Sequence, residues 1–364
     1  MSTISASRKI LVVPLDWGLG HATRDIPLIR ELLNAGCLVF IAAEEKHAAL
    51  LQQEFPGLTI LPLPGYRIKY AQKGQFFAWK IIQQIPKIYH AIQYEQRWLK
   101  KVVADYQIDA VISDNRFGLY HKKIPTVFIT HQLLIKTPLG GWIEGVLQKI
   151  NYRFINKYSA CWIPDFAGEN NLSGELAHPA QLPAHAVYMG CLSRFEPKAH
   201  TEKKYDLLVL ISGPEPQRSA LEKLVVDQVK LLPLTALIVS GKPGELRHQQ
   251  LSPGITQVNH LNAGELNEAM LAADMVLSRS GYTTLMDLAK LNKKAILIPT
   301  PGQSEQVYLA EYLMKKGYFY CLTQESFNLK AALEEASRFP FRSFHHDQDM
   351  DQYKQVVRQF VQSL

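Results

Sequence analysis

The chain reads as an α/β protein built from two Rossmann-like domains, each a parallel, doubly wound sheet. Three observations predict this. Short apolar, β-branched runs recur along the whole length with helical segments between them: 9–14, 38–42, 59–63, 110–113, 126–130, 160–163 and 186–189, then 207–211, 236–239, 256–258, 275–277 and 295–298. Repeated alternation of this kind implies parallel strands joined by helical crossovers. At 364 residues the chain is too long for one ordinary core. A charged stretch, Lys198 to Lys204, separates the two series and reads as a linker.

From these signals an N-terminal domain is expected over 1–190, a linker over 191–204, a C-terminal domain over 205–345 and a terminal helix over 346–364. Within that last segment Tyr353, Val356, Val357, Phe360 and Val361 fall on one helical face.

An apolar content of 47% with 20% charged residues excludes a disordered chain. No stretch has the apolar length of a signal peptide or a membrane span, so a cytoplasmic location is expected, with a peripheral place at the inner membrane face as a variant of it. Cys37, Cys161, Cys191 and Cys321 stand far apart in or beside apolar runs. They read as packing thiols, and neither a metal nor a redox site is expected of them.

The net charge of +7 is unevenly spread. Between Arg67 and Lys157 stand 15 Lys and Arg against 5 Asp and Glu, interleaved with Phe76, Phe77, Trp79, Trp98 and Trp142. That pattern suits a surface facing anionic lipid; its alternative is lysines on solvated helix faces with the aromatics turned inward. No nucleic-acid motif accompanies it.

In the first half, the opening strand runs into Asp16-Trp17-Gly18-Leu19-Gly20-His21, with a helix expected from Ala22 to Ala35. Gly18 and Gly20 suggest a glycine loop ahead of that helix, although the third glycine of a dinucleotide fingerprint is replaced by Thr23. His21 is placed at the loop-to-helix junction. Later strands also end in polar residues: Asp114 and Asn115, His131 and Gln132, and Asp165. All belong to the sheet edge that carries His21, where ligands bind in open α/β sheets.

The second half begins with a strand followed by Ser212-Gly213-Pro214-Glu215-Pro216-Gln217-Arg218. Its most informative stretch runs from Met275 to Ala310. A strand breaks at Ser278-Arg279-Ser280-Gly281 and a helix follows through Tyr282, Thr283 and Asp287. Another strand then ends at Pro299, before a loop holding Gln303, Glu305 and Gln306. Gly281 permits close backbone approach, Thr283 and Thr284 are expected to cap the helix, and its N-terminus suits an anion. Arg279 would add a forked donor, and Asp287 could accept ribose hydroxyls.

This stretch resembles the donor-nucleotide half of the MurG-like GT-B glycosyltransferases, with Ser278-Arg279-Ser280-Gly281, the strand ending at Pro299, and the loop of Gln303 to Gln306 as the matching motifs. Gly18-Leu19-Gly20-His21-Ala22-Thr23-Arg24 resembles the G-x-G-H loop with which many such enzymes begin. The resemblance implies a GT-B architecture, its two sheets facing a central cleft and its last helix crossing back to the first domain. It implies Asp287 in the place of the family's ribose-binding glutamate and Gln306 in that of its first sugar-contacting glutamine. The second glutamine is replaced here by Val307, and the asparagine that follows it by Ala310.

The expectation is therefore an inverting glycosyltransferase, moving a sugar from a nucleotide-diphosphate donor, a UDP-sugar in the family pattern, to an acceptor hydroxyl. His21 and Asp114 are the catalytic candidates. On the donor side stand Gly18, Gly20, Ser212, Gly213, Gln217, Arg218, Arg279, Ser280, Gly281, Tyr282, Thr283, Asp287, Gln303, Glu305 and Gln306; on the acceptor side, Asp16, Trp17, Arg24, Asn115 and His131. No metal or cofactor is expected, and the acceptor is either lipid-linked at the membrane surface or soluble. Two alternatives stay open: a nucleotide-sugar epimerase or hydrolase of the same fold, and a binding protein with a degenerate donor site.

Overall fold

The computed structural model describes residues 7–66, 77–137, 140–242, 248–344 and 348–364, and of 77–85 only the backbone course. Arg67 and Phe76, and the side chains of Phe77 and Trp79, lie outside the described residues. Two compact units emerge: one of residues 1–192 together with 349–364, the other of 193–348.

Unit 1 contains a seven-stranded, wholly parallel sheet. Its strands are β1 (Lys9–Val13), β2 (Leu38–Ala43), β3 (Thr59–Pro62), β4 (Ala110–Asp114), β5 (Thr126–Ile129), β6 (Ala160–Ile163) and β7 (Ala186–Tyr188), in the order β3-β2-β1-β4-β5-β6-β7. The helices are α1 (Leu19–Asn34), α2 (Glu45–Glu54), α3 (Phe77–Tyr106) and α4 (Gly141–Ile155). Leu11, Val13, Val111, Leu99 and Val102 form one core layer between sheet and α3. Such strands are buried on both faces, which is why they read as continuous apolar runs rather than alternating ones.

The order reverses between β1 and β4, the switch point at which an open α/β sheet leaves a crevice beyond its strand ends. His21 follows β1 and Asp114 closes β4, so the topology brings the two catalytic candidates to that point. The final helix, α10 (Gln352–Gln362), also packs on unit 1. Phe360 meets Trp162 edge to face at 5.3 Å between ring centroids, and Arg358 donates to Glu31 at 2.6 Å.

Unit 2 contains a second seven-stranded sheet, in the order β10-β11-β9-β8-β12-β13-β14. These strands are β8 (Tyr205–Leu210), β9 (Ala236–Val239), β10 (His248–Ser252), β11 (Ile255–Val258), β12 (Ala273–Ser278), β13 (Lys294–Leu297) and β14 (Tyr320–Cys321). Its helices are α5 (Gln217–Val229), α6 (Ala263–Leu271), α7 (Tyr282–Lys290), α8 (Ser304–Lys315) and α9 (Leu329–Arg338). Here the switch point lies between β8 and β12, and the expected donor loops follow those two strands.

The second sheet is not wholly parallel, because β10 pairs antiparallel with β11 through an irregular register. It adds a polar, largely exposed edge to an otherwise parallel sheet, a common way for such sheets to end.

Candidate functional site

In unit 1 the helix begins three residues earlier than its apolar periodicity suggests. Gly18 is the N-cap at φ +69°, a backbone that L side chains rarely adopt, and Gly20 and His21 already lie in the first turn of α1. The glycine pair is thus not a loop ahead of the helix: only Gly18 serves the turn. Its carbonyl accepts from His47 Nε2 at 2.7 Å, a contact with no sequence signal.

His21 Nδ1 lies 2.8 Å from Asp114 Oδ2. A carboxylate can only accept, so Nδ1 carries the hydrogen and Nε2 is left with its lone pair. Arg24, one turn further along α1, reaches the same carboxylate with two donors, Nε to Oδ2 at 2.8 Å and Nη2 to Oδ1. Its Nη1 also donates to His131 Nδ1 at 3.2 Å. Arg24 is 2% exposed and Asp114 is fully buried.

Burial alone would raise the Asp114 carboxyl, but Arg24 and then His21 outweigh it and hold it at about 2. Burial lowers His21 below its ordinary value, with Asp114 opposing and Arg24 adding to the effect. The cluster is therefore a fixed carboxylate orienting a neutral imidazole, a combination suited to removing a proton from a hydroxyl near pH 7.

Arg24 is a buried partner of Asp114, and His131 a buried partner of Arg24, which corrects their assignment to an acceptor. Asp16 is corrected likewise: Oδ1 accepts from Tyr66 N at 2.9 Å, and its carboxyl packs where a side chain on Gly65 would collide with it. Trp17 packs against the cluster of Leu15, Tyr66 and Ile92. Asn115 sits at φ +57° with its N–H on Ile129 O at 3.0 Å, so it shapes the turn after β4. Asp165 spends its carboxylate on Leu172 N, Ser173 N and His178, bracing its own loop.

In unit 2, Gly281 and not a threonine is the N-cap of α7, and a side chain there would meet no atom within 4 Å. Neither α7 nor α8 has a side-chain cap from its N-cap residue, whereas α6 carries a full capping box and α9 an Asn328 cap.

Asp287 is 8% exposed, and its Oδ1 accepts from Ser193 Oγ at 2.6 Å. Burial pushes its carboxyl up to about 6, against Arg194 and the Ser193 hydrogen bond. Gln306 is anchored at both ends, its Oε1 accepting from Thr300 N at 2.9 Å and its Nε2 donating to Gln303 Oε1 at 2.6 Å.

Three donor assignments fail on geometry. Arg279 is 1% exposed and gives its terminal nitrogens to Ile298 O, Pro299 O, Gln217 O and Gln324 Oε1, at 2.7–3.2 Å. It clamps the loop after β12 to the loop after β13 and has no fork left for a diphosphate. Arg218 is likewise spent on Glu215, Glu222 and Ser240 O, while Glu215 Oε2 accepts from Ser219 N at 3.3 Å and occupies the start of α5. Ser280 is fully buried, its hydroxyl bonded to Gln306 O at 2.8 Å.

Known proteins resemble this chain along most of its length. Residues 211–358 match the glycosyltransferase family 28 C-terminal domain. An uncharacterized glycosyltransferase of Methanopyrus kandleri is 19% identical over 326 residues, covering 84% of this chain and 89% of the relative. The UDP-N-acetylglucosamine--N-acetylmuramyl-(pentapeptide) pyrophosphoryl-undecaprenol N-acetylglucosamine transferase of Geobacillus thermodenitrificans is 22% identical over 351 residues, covering 87% of each chain. The crystal structure of Acinetobacter baumannii MurG superposes with a TM-score of 0.55 at 13% identity, covering 98% of this chain and all of that one.

The protein is a glycosyltransferase with a family 28 C-terminal domain and the GT-B fold.

Two buried features of this glycosyltransferase escaped the sequence reading. Asp25 is fully buried beside Arg24, and neither carboxyl oxygen has a hydrogen-bond partner among the described residues. Burial first, then Asp114, drives its carboxyl well above the ordinary range against Arg24, so it is held as the neutral acid. Its signal was an acidic residue between Ala22, Ile26 and Ile29 on the buried face of α1.

The second feature is the set Glu95, Arg116 and Tyr66. Arg116 Nε meets Glu95 Oε1 at 2.7 Å, Arg116 Nη2 donates to Pro64 O at 2.6 Å, and Tyr66 OH donates to Glu95 Oε2 at 2.9 Å. It ties the turn after Asp114 to α3 and to 64–66.

Proposed function

We propose that this glycosyltransferase inverts the sugar it transfers, taking it from a UDP-sugar bound by unit 2 and passing it to an acceptor hydroxyl that His21 deprotonates. The observation that carries this reading is the His21–Asp114–Arg24 arrangement at the β1/β4 switch point, with Nε2 of a neutral imidazole as its only unspent base. As the hydroxyl attacks the anomeric carbon, its proton moves to His21 Nε2 and Asp114 stabilises the imidazolium. The diphosphate leaves with the bonding electron pair, and the starts of α7 and α8 meet its charge. No metal is assigned a part.

The testing experiment is binding followed by turnover. UDP should raise the melting temperature of unit 2, and Asp287→Ala should remove most of that shift, measured by calorimetry. No shift with UDP or any other nucleoside diphosphate would remove the donor site. Consumption of donor without an acceptor would favour the epimerase or hydrolase reading instead.

The acceptor side rests on a surface of α4. Trp142, Val146 and Ile150, spaced by four, are 82%, 42% and 47% exposed, and Lys149 and Arg153 lie exposed beside them. Trp98 by contrast packs against the core beside Leu99, so the inward alternative holds for it, while Lys100 and Lys101 remain exposed. No helix among the described residues is long and apolar enough to cross a membrane. An apolar stripe with flanking cations suits the surface of an anionic bilayer, at about 1 kcal/mol per basic residue near it. We expect sedimentation with anionic vesicles at low salt, release as salt rises, and weakening by Trp142→Glu with UDP binding intact. A protein that stays in the supernatant would make the acceptor a soluble one.

A further inference from the structure

Ser193, the first residue of unit 2, is tied to Asp287 in the second turn of α7, 94 positions away in sequence. Its hydroxyl donates to Asp287 Oδ1 at 2.6 Å, a length typical of a bond to a charged oxygen. Ser193 Oγ also accepts from Phe195 N at 3.2 Å, so its one hydrogen is left for the carboxylate. Ser193 is 3% exposed and Phe195 1%, which fixes the donor by packing on its own side.

The other carboxyl oxygen is in a different position. Asp287 is 8% exposed, and Oδ2 neither makes a hydrogen bond among the described residues nor is sealed from solvent. The last torsion of an aspartate is otherwise broad, so holding Oδ1 restrains the direction of Oδ2 as well. Burial presses the carboxyl toward its neutral form, and Arg194 and then the Ser193 hydrogen bond oppose it. The result is an acceptor that is aimed, charged and still without a donor.

We propose that Ser193 is a positioning residue of the donor site: its hydroxyl holds the Asp287 carboxylate so that Oδ2 receives a ribose hydroxyl of the nucleotide. The inference rests on the donor reading above and deepens it. A carboxylate takes only donors, and of the groups a nucleoside diphosphate brings, the ribose hydroxyls donate while the phosphates repel it. Fixing the acceptor in advance removes the cost of ordering it when the nucleotide arrives, so a residue that never touches the ligand contributes to its affinity.

The test compares UDP with its 2′,3′-dideoxy analogue, which lacks both ribose hydroxyls, and with inorganic pyrophosphate, by titration calorimetry. The wild type should bind UDP about 10-fold more tightly than the dideoxy analogue. Ser193→Ala should lose most of that preference through weaker UDP binding, with the analogue and pyrophosphate bound as before. Ser193→Cys, close to serine in volume but a weak donor, should behave in the same way and stands in if the alanine variant does not fold. In an Asp287→Asn background, Ser193→Ala should have no further effect on the preference.

Equal weakening of all three ligands would mark Ser193 as a structural tie to α7 and overturn the proposal. So would a Ser193 variant that keeps the full preference for UDP. Asp287→Asn alone keeps the two failures apart. If it binds UDP as the wild type does, the reading of Asp287 fails and Ser193 falls with it; if it loses the preference while Ser193→Ala does not, only the role of Ser193 fails.

Discussion

Replacing His21 with alanine should lower kcat by about 10²- to 10⁴-fold while the UDP-induced rise in melting temperature is preserved. The separation follows from placement: His21 belongs to unit 1, and the groups assigned to the nucleotide belong to unit 2. The pH dependence supplies a second readout. Only the neutral imidazole can accept a proton, so activity should fall on the acid side as His21 becomes protonated. Because burial lowers His21 below its ordinary value of 6.5, with Asp114 opposing, that fall should lie below pH 6.5 and leave a plateau at neutral pH. A wild-type limb centred above pH 7, or an alanine variant with full turnover, would take the base role away from His21.

Much of this arrangement could be read from the sequence because it depends on local pattern. Strands buried on both faces leave continuous β-branched runs, and each run at 9–14, 110–113 and 295–298 became a central strand. His21 and Asp114 were found because both close a strand at the same edge of a parallel sheet. What could not be read was which partner each polar side chain would meet. Arg279 looks from sequence like a donor reaching for phosphate, but the carbonyls that take it up belong to a strand end some twenty residues later, brought alongside only by the β12–β13 pairing.

Arg24 and His131 were misassigned for the same reason, since Arg24 turns inward to Asp114 and His131 to Arg24, across elements far apart in sequence. The start of α1 was misplaced because periodicity registers only apolar residues, and its first turn is Leu19-Gly20-His21. β10 left no signal: an exposed edge strand of composition HQQLS has no buried face to impose alternation.

Asp114→Asn should affect stability as well as rate, because one carboxylate serves a buried cation, Arg24, and the neutral His21 imidazole. Arg24 is 2% exposed, and it forms an ion pair with the fully buried Asp114. Removing one member of a buried pair costs about 3–5 kcal/mol, since the other charge stays desolvated. For a unit of this size that corresponds to a fall of roughly 6–20 °C in melting temperature. The asparagine amide also turns its NH2 group either on Arg24 Nη2 or on Arg24 Nε and the His21 Nδ1–H, so that donor faces donor, and the imidazolium loses its stabilising charge. Turnover should drop about as far as in His21→Ala.

The two effects separate in the double variant Arg24→Met, Asp114→Asn, which removes both charges and restores a similar volume. Its melting temperature should recover most of the loss, while turnover stays low. Recovery of activity together with stability would mean that Asp114 acts only as a structural partner of Arg24. An unchanged melting temperature in the single variant would mean that the pair is not buried as found here.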